Sequence, residues 1–476
     1  EYLHVSWPAG DLAGSQLRPS FVVERIRRLF PSVPVTRETG DYRLLTPAGA
    51  LEAAGEHPGG ALWQSFAQSG RWGAALETMR RARSFDRGRL SPEAVRALYG
   101  SSYRMSASRM DKLRSCHFGY FMQYGLCAKE RKAAGFDAPE IGTFLHYLLE
   151  NVNREVRARG GYGAVERAAL RGLVRQYLEK YSEEQLGGCR DKSARFRYLF
   201  SRLRTTAYAI VENVADELSQ SDFVPLEFEL GFGGRNGQLP AITIREGEST
   251  LAVTGKVDRV DGWLRDGKLY IRVVDYKTGK KSFDLTDLRY GLGVQMLLYL
   301  FALEGEGERY FGHPVVPAGV LYTPARDVIL RTERGATEEK IRAALDKELR
   351  RSGMVLAEPE VLQAMEHSAL EKPCFLPIEV KKGGTITGGL ASATQLGKLG
   401  QYVERLLHEI TDELSSGNIN ADPCSRSPQE SSCDWCEYAS ACCFEEGRDR
   451  RRMMKKVRDS EFWRFIEQET EEVRHG

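Results

Sequence analysis

The chain has 476 residues, 42% hydrophobic and 28% charged, with 68 basic against 66 acidic side chains and a net charge of +2. That is the composition of an ordinary globular protein with room for two or three domains. It excludes a chain that binds nucleic acid through overall basicity, so any such site must come from local clustering of Lys and Arg. No apolar run approaches the roughly 18 residues of a membrane span, so no membrane contact is expected.

In chain order, residues 1–100 read as helices and loops. Pro19-Ser20 opens an amphipathic helix from Phe21 to Phe30, which Pro31 stops. Ser106 or Ser108 caps a helix running through Leu113 to Tyr124. Further helices fit residues 140–160 and 163–220. Strands are expected over Val224–Phe232, Leu251–Val260 and Leu269–Tyr276, then a helix over Asp287–Leu303 and a strand over Val315–Tyr322. Residues 337–370 and 394–416 read as helices. Lys381–Gly389 is Gly-rich and basic, hence a loop or insertion, and Arg448–Arg458 is strongly basic. This order predicts an α/β fold, a mixed sheet flanked by helices.

The chemistry concentrates in the middle strands. Alternation places Asp275 and Lys277 on one face of their strand and Tyr276 on the other. A turn at Asp266-Gly267 allows hairpin pairing to bring Asp258 beside Asp275. Two carboxylates on one sheet face suit a hard divalent cation, Mg²⁺ or Mn²⁺. Lys277 would then orient a water or stabilise developing negative charge. An Asp-x-Lys triplet alone is more often a charged solvent face. Here it ends the apolar run Leu269–Val274, where a carboxylate needs a partner.

Gly255-Lys256-Val257-Asp258 followed by Asp275-Tyr276-Lys277 resembles the central motifs of the PD-(D/E)XK nucleases, RecB branch. Gln295-Met296-Leu297-Leu298-Tyr299 resembles the branch's Gln-x-x-x-Tyr motif, and Gln295 and Tyr299 share a helix face. His146, in Gly142-Thr143-Phe144-Leu145-His146, matches the position of a metal ligand in that family. Glu229 is a further candidate acid on the first strand. The resemblance implies a catalytic set of Asp258, Asp275, Lys277, Gln295 and Tyr299 and a Mg²⁺ site at His146, Asp258 and Asp275. Lys280 and Lys281, just beyond the active strand, are the leading DNA contacts. Lys381-Lys382 and Arg448–Lys456 are others, each more often a solvated surface.

Nine cysteines, an odd number concentrated in one place, point to a reducing compartment and a metal site rather than a disulfide framework. Cys433, Cys436 and Cys442 form C-x2-C-x5-C, which lacks the paired C-x2-C units of a four-cysteine zinc site. Thiolates also suit iron–sulfur clusters. In the family just named, one upstream cysteine and a C-terminal triplet hold a [4Fe–4S] cluster, and Cys116, Cys433, Cys436 and Cys442 match those positions. Cys443 leaves a register ambiguity. Cys424 reads as free, and Cys127, Cys189 and Cys374 read as ordinary buried thiols.

The wider pattern resembles the AddB family, one of the two chains of the bacterial AddAB helicase–nucleases, with Cys116-His117-Phe118 where Cys-Pro-Phe is usual. Residues 1–100 then correspond to the end of a helicase-like region, 101–446 to the nuclease domain and 447–476 to a basic helical tail. The chain, opening on Glu1, would be the C-terminal part of a longer subunit. The resemblance implies a cytoplasmic, nucleoid-associated bacterial exonuclease acting on single strands from broken duplex ends in recombinational repair, as a heterodimer with an AddA-type helicase–nuclease subunit. The rivals are a non-catalytic DNA-end clamp, against which the intact Asp258, Asp275, Lys277, Gln295 and Tyr299 set argues, and a stand-alone exonuclease of the same superfamily.

Overall fold

Asp266 and Gly267 both adopt positive φ, 50° and 76°, as a two-residue hairpin turn requires. The turn joins the two strands that carry Asp258, Asp275 and Lys277. The protein is described from a computed structural model covering residues 5–9, 16–36, 41–83, 87–129, 138–188, 193–234, 237–328, 330, 333, 335–427 and 429–472. It divides into two compact units between Arg87 and Gly88.

The first unit holds helices α1 (Phe21–Leu29), α2 (Pro47–Glu56), α3 (Ala61–Gln68) and α4 (Gly73–Arg83). Thr46 caps α2 through the Gly49 amide, with Pro47 at the first helical position.

The second unit opens with α5 (Pro92–Tyr99), β1 (Ser102–Met105), α6 (Ala107–Ser115) and α7 (His117–Tyr120), followed by a π-helical turn at Phe121–Gly125. Three long helices follow, α8 (Ala138–Ala158), α9 (Arg167–Leu186) and α10 (Ala194–Leu218). The strands are β2 (Val224–Phe232), β3 (Ile242–Glu246), β4 (Ser249–Val253), β5 (Gly255–Arg265) and β6 (Lys268–Lys277). Then come α11 (Leu285–Arg289), α12 (Gln295–Phe311), β7 (Val315–Pro324), α13 (Glu338–Leu349), β8 (Ser352–Leu356) and α14 (Pro359–Met365). The remainder is β9 (Ile378–Val380), β10 (Ile386–Gly388), β11 (Leu390–Ala391), α15 (Ala393–Ser415), β12 (Cys424–Ser427), β13 (Glu430–Ser431), α16 (Ala439–Cys442), β14 (Arg452–Met453) and α17 (Asp459–Glu472).

The central sheet runs β11-β8-β7-β6-β5-β2. β2, β5 and β6 are antiparallel neighbours, β7 joins β6 in parallel, and β8 returns antiparallel to β7. Helix α8 packs on β2 and β5, and α12 packs on β6 and β7. This is the expected mixed sheet between helices. No helix of the described residues is long and apolar enough to cross a membrane.

Some expected elements differ. The helix expected through Leu113 to Tyr124 is interrupted at Cys116, whose backbone is extended, and becomes α6, α7 and the π-helical turn. The strand expected over Leu251–Val260 is two strands that part at Thr254. β4 pairs with β1 and β3 in a small separate sheet, and β5 enters the central one. The Thr254 amide bonds the Met105 carbonyl at 2.9 Å, which pulls the chain across. The helix expected from Asp287 is broken by Gly291 and Gly293 at φ 73° and 68°, so α12 starts at Gln295. The stretch 337–370, expected to be helical throughout, contains β8, whose Gly353 lies against the Val320 carbonyl where no Cβ fits. Lys381–Gly389 is the turn and return strand of the β9–β10 hairpin.

Beneath the sheet lies an ionic network that periodicity does not reveal. Arg259, Asp261 and Arg272 are fully buried on one face of β5 and β6. Asp261 receives Arg272 at 2.8 Å, and Glu217 of α10 lies 3.1 Å from Arg272 and 2.6 Å from Arg351. Arg259 donates to the Tyr276 hydroxyl at 2.9 Å, and Asn153 of α8 donates to the same oxygen at 3.3 Å. These bonds tie α8, α10 and β8 to the two strands that carry the candidate site.

Candidate metal centre and nucleic-acid interface

β5 and β6 pair from Arg265–Lys268 to Arg259–Val274 and then diverge. Beyond that point β5 stays with β2 as far as Gly255–Phe232, and β6 stays with β7 as far as Lys277–Pro324. Asp258 and Asp275 are the first residues inside this fork. Asp258 Oδ2 accepts the Tyr276 amide at 2.8 Å, replacing the ladder bond lost there. Lys277 Nζ sits 2.6 Å from Asp275 Oδ2.

His146 comes from α8, its Nδ1 3.2 Å from Asp258 Oδ1 and 3.8 Å from Glu229 Oε1. Ligand atoms of His146, Glu229 and Asp258 lie within 4.8 Å of one another. Glu229 thereby joins the site at the centre, with Lys256 Nζ 2.5 Å from its other oxygen. It also has a strained backbone. The β2–β5 register pairs Phe228 with Arg259 and Leu230 with Val257, and Glu229 between them has φ 54°. A non-glycine residue held in the left-handed region is a cost that functional sites commonly retain. Neither this strain nor Lys256 leaves a mark in the sequence pattern beyond their places beside recognised residues.

The electrostatics follow from crowding. Burial, and then the Asp258 carboxylate, push Asp275 up to about 6, against the pull of Lys277. Burial works against a charged His146, but hydrogen bonds and charge from Asp258 and Glu229 outweigh it and raise its pKa to about 10. Burial also raises Glu229, yet His146 and Lys256 bring it below the usual carboxylate range. Carboxylates and an imidazole converging in a half-buried fork fit a hard divalent cation. Asp275 Oδ2 is buried without an aligned hydrogen bond, so it remains able to serve as a ligand.

Gln295 and Tyr299 lie on the first turns of α12. The Tyr299 hydroxyl accepts the Lys256 amide at 3.3 Å, and its ring stacks on Phe232 at 5.3 Å. Burial raises the Tyr299 pKa, while a hydrogen bond from Gln295 and the charges of Asp275 and Asp258 also act on it. Gly255 explains itself here. A Cβ at that position would lie 1.9 Å from the Tyr299 hydroxyl oxygen. Lys280 and Lys281 are exposed beyond β6, Lys280 3.7 Å from Glu348 and Lys281 5.4 Å over the Tyr322 ring. Lys381 and Lys382 are exposed in the β9–β10 turn.

Cys116 lies in extended backbone between α6 and α7, with its thiol pushed up to about 11 by burial, then by the Asp422 carboxylate and, least, by Cys442. The C-terminal segment docks on that turn. His117 N donates to Asp422 at 3.0 Å, Phe118 N to the Asn420 carbonyl at 2.9 Å, and the Tyr438 hydroxyl to the Ala128 carbonyl at 2.9 Å. Cys433, Cys436 and Cys442 are half-buried and free of disulfides. Among the described residues the thiols do not gather within the spacing of ligands on one ion. Thiolates on a cluster stand further apart, because the cluster's own atoms lie between them. Cys443 is exposed, and Cys424 is buried and donates to the Arg114 carbonyl at 3.2 Å. Cys127 is exposed in a loop and Cys374 half-buried, so neither is the buried thiol expected. Cys189 lies outside the described residues.

Comparison with known proteins agrees with this geometry. The chain is similar to proteins named as the B subunits of ATP-dependent helicase/deoxyribonucleases. The protein from Acetivibrio thermocellus is 32% identical over 505 aligned positions, covering 99% of this chain and 43% of that protein. Those from Clostridium acetobutylicum and Caldanaerobacter subterraneus are each 29% identical with the same coverage. The chain thus spans less than half the length of these relatives. The sequence pattern of the PD-(D/E)XK nuclease superfamily matches residues 104–443, from the end of β1 to the last of the clustered cysteines. With the carboxylate fork inside that span, the chain belongs to the PD-(D/E)XK nuclease superfamily.

Proposed function

We propose that this chain hydrolyses phosphodiester bonds of single-stranded DNA with Mg²⁺ or Mn²⁺. The observation that carries the reading is the fork of Asp258 and Asp275, with Lys277 at 2.6 Å from Asp275 and His146 and Glu229 beside Asp258. Asp258, Asp275, Glu229 and His146 would hold the cation. When bound, it polarises a phosphoryl oxygen and lowers the pKa of a water.

The protein's own groups supply the rest. His146, with its pKa raised to about 10, would have to give up a proton to serve as a ligand, whereas Asp275, at about 6, is mostly ionised at neutral pH. Lys277 keeps a fixed positive charge beside the reacting phosphate. Tyr299 and Gln295 fix the geometry of β5 at the mouth of the fork and orient the strand. Lys280 and Lys281 add backbone attraction without sequence preference.

The names of the relatives support a larger setting. In it the chain is the nuclease part of an AddB-type protein, pairs with an AddA-type helicase–nuclease subunit and trims strands exonucleolytically from broken duplex ends. Cys116, Cys433, Cys436 and Cys442 would hold a [4Fe–4S] cluster. What supports this is four thiols free of disulfides on two segments already hydrogen-bonded together, with Cys442 acting on Cys116. The cluster would fix the DNA-end side of the domain. The test is cleavage of end-labelled single-stranded DNA in Mg²⁺, Ca²⁺ and EDTA. Cleavage with Mg²⁺ alone supports the reading, and equal cleavage in EDTA refutes it.

A further inference from the structure

Immediately beyond the catalytic strand a pocket of about 390 Å³ opens between the Gly279–Ser282 loop, the end of β7 and the last turn of α13. Lys277, Lys280, Lys281, Arg326 and Lys347 line it, with Glu348 as its carboxylate. In a chain whose net charge is only +2, this is a marked local excess of cations. Arg350 also borders the pocket but is committed elsewhere, donating to the Pro373 carbonyl at 3.1 Å.

Two features show what the pocket would take. Glu348 reaches into it and receives Arg326 at 2.7 Å, with Lys280 at 3.7 Å. An anion therefore already occupies the cationic centre, and it is supplied by a half-exposed side chain at a helix end. The floor is Tyr322, with the ammonium groups of Lys277 and Lys281 each 5.4 Å from its ring. Its hydroxyl is buried without a hydrogen-bond partner.

We propose that this pocket is a second phosphate subsite, seating a phosphodiester of the strand next to the one held at the fork. Glu348 fills it until nucleic acid displaces the carboxylate. Arg326 offers the planar fork that matches phosphate oxygens, and the lysines act as point charges around it. The volume admits a phosphate with part of its sugar. Lys277 borders both the fork and the pocket, so a strand entering one passes the other. The inference deepens the nuclease reading and rests on it.

The test is equilibrium binding of a fluorescein-labelled oligothymidylate to the complete protein, with any partner that copurifies, in EDTA and over a range of salt. Arg326→Gln should weaken binding about fivefold at low salt and reduce the log–log salt slope by about 0.7, the value of one phosphate contact on a single strand. Glu348→Gln should tighten binding several-fold. In the double variant that gain should shrink to what freeing Lys280 supplies, because Glu348 acts mainly through Arg326. Lys347→Gln, on an exposed position, should lower the slope in the same way without disturbing the fold. Unchanged affinity and slope in both Arg326→Gln and Lys347→Gln would overturn the proposal. So would a Glu348→Gln gain that persists in full beside Arg326→Gln. Failure of the nuclease reading would show separately, as absence of metal-dependent cleavage.

Discussion

Asp258 and Tyr276 are joined across the fork, carboxylate oxygen to backbone amide at 2.8 Å. The bond lets two neighbouring strands part without leaving an orphaned donor, and it fixes one oxygen of Asp258. The other oxygen is left facing His146 at 3.2 Å. On the far side of β6 the Tyr276 side chain enters the buried Arg259 network. The position of the candidate metal ligands is therefore coupled to the core of the sheet.

That core gives a stability prediction. Burial disfavours a charged Glu217, but Arg351, Arg272 and Arg259 overcome it and lower its pKa to about 2 from an ordinary 4.5. A depressed carboxylate contributes stability above its unfolded pKa and loses it as pH falls through the folded value. Glu217 should thus contribute about 3 kcal/mol near neutral pH, lost between about pH 4.5 and 2. Glu217→Gln leaves buried guanidinium groups underpaired and should cost about 3–5 kcal/mol. Denaturant melts of both proteins at pH 7 and pH 3 check this, and the difference between them should shrink at the lower pH.

Gly255 tests the role assigned to Tyr299. Gly255→Ala places a methyl group 1.9 Å from the Tyr299 oxygen, so the ring or the strand must shift. The expected cost is about 1–3 kcal/mol, with slower cleavage. In a Tyr299→Ala background the same substitution should cost much less. Equal costs in the two backgrounds would show that the contact is not what makes glycine necessary.

Glu229 joins the proposed metal site through its geometry beside His146 and Asp258 rather than through motif strength. Asn tolerates its φ of 54° better than most residues and removes the carboxylate. Glu229→Asn should therefore keep or slightly raise the melting temperature while raising the Mg²⁺ midpoint for cleavage about tenfold. An unchanged midpoint in a Mg²⁺ titration would remove Glu229 from the site.

For the cysteines, Cys433→Ser should lose iron and thermal stability, measured anaerobically. Cys424→Ser should stay near wild type, because a serine hydroxyl can still donate to the Arg114 carbonyl. The α6–α7 turn and the segment around Asn420–Asp422 should remain associated in the iron-free variant through His117–Asp422 and Phe118–Asn420, though with more protease cleavage after about residue 420. Full iron in Cys433→Ser would show that the ligands are others.

The hairpin of Asp258, Asp275 and Lys277 is legible in the sequence because period-two alternation and an Asp-Gly turn are local signals. The division at Thr254 is not, since the alternation of Leu251, Val253 and Val257 runs across it in register and a long-range bond to Met105 diverts the chain. β8 is hidden for a similar reason: Ser352–Leu356 is short, and its strand state comes from pairing with β7. The Arg259–Asp261–Arg272–Glu217 network leaves no signal, because charges within a strand read as solvent-facing until partners from a distant helix are known. Gln295 and Tyr299 stand out by their spacing, but the close approach of Tyr299 to Gly255 requires the fold.

The central claim is that the fork of Asp258 and Asp275 performs metal-dependent cleavage. Its most direct measurement is single-turnover cleavage of end-labelled single-stranded DNA in saturating Mg²⁺ by wild type, Asp258→Ala and Asp275→Ala, with folding verified by matched melting curves. The account predicts that each variant loses about a thousandfold or more in rate, equivalent to about 4 kcal/mol of transition-state stabilisation, while still binding the DNA in EDTA. Cleavage by folded Asp275→Ala at the wild-type rate would contradict it.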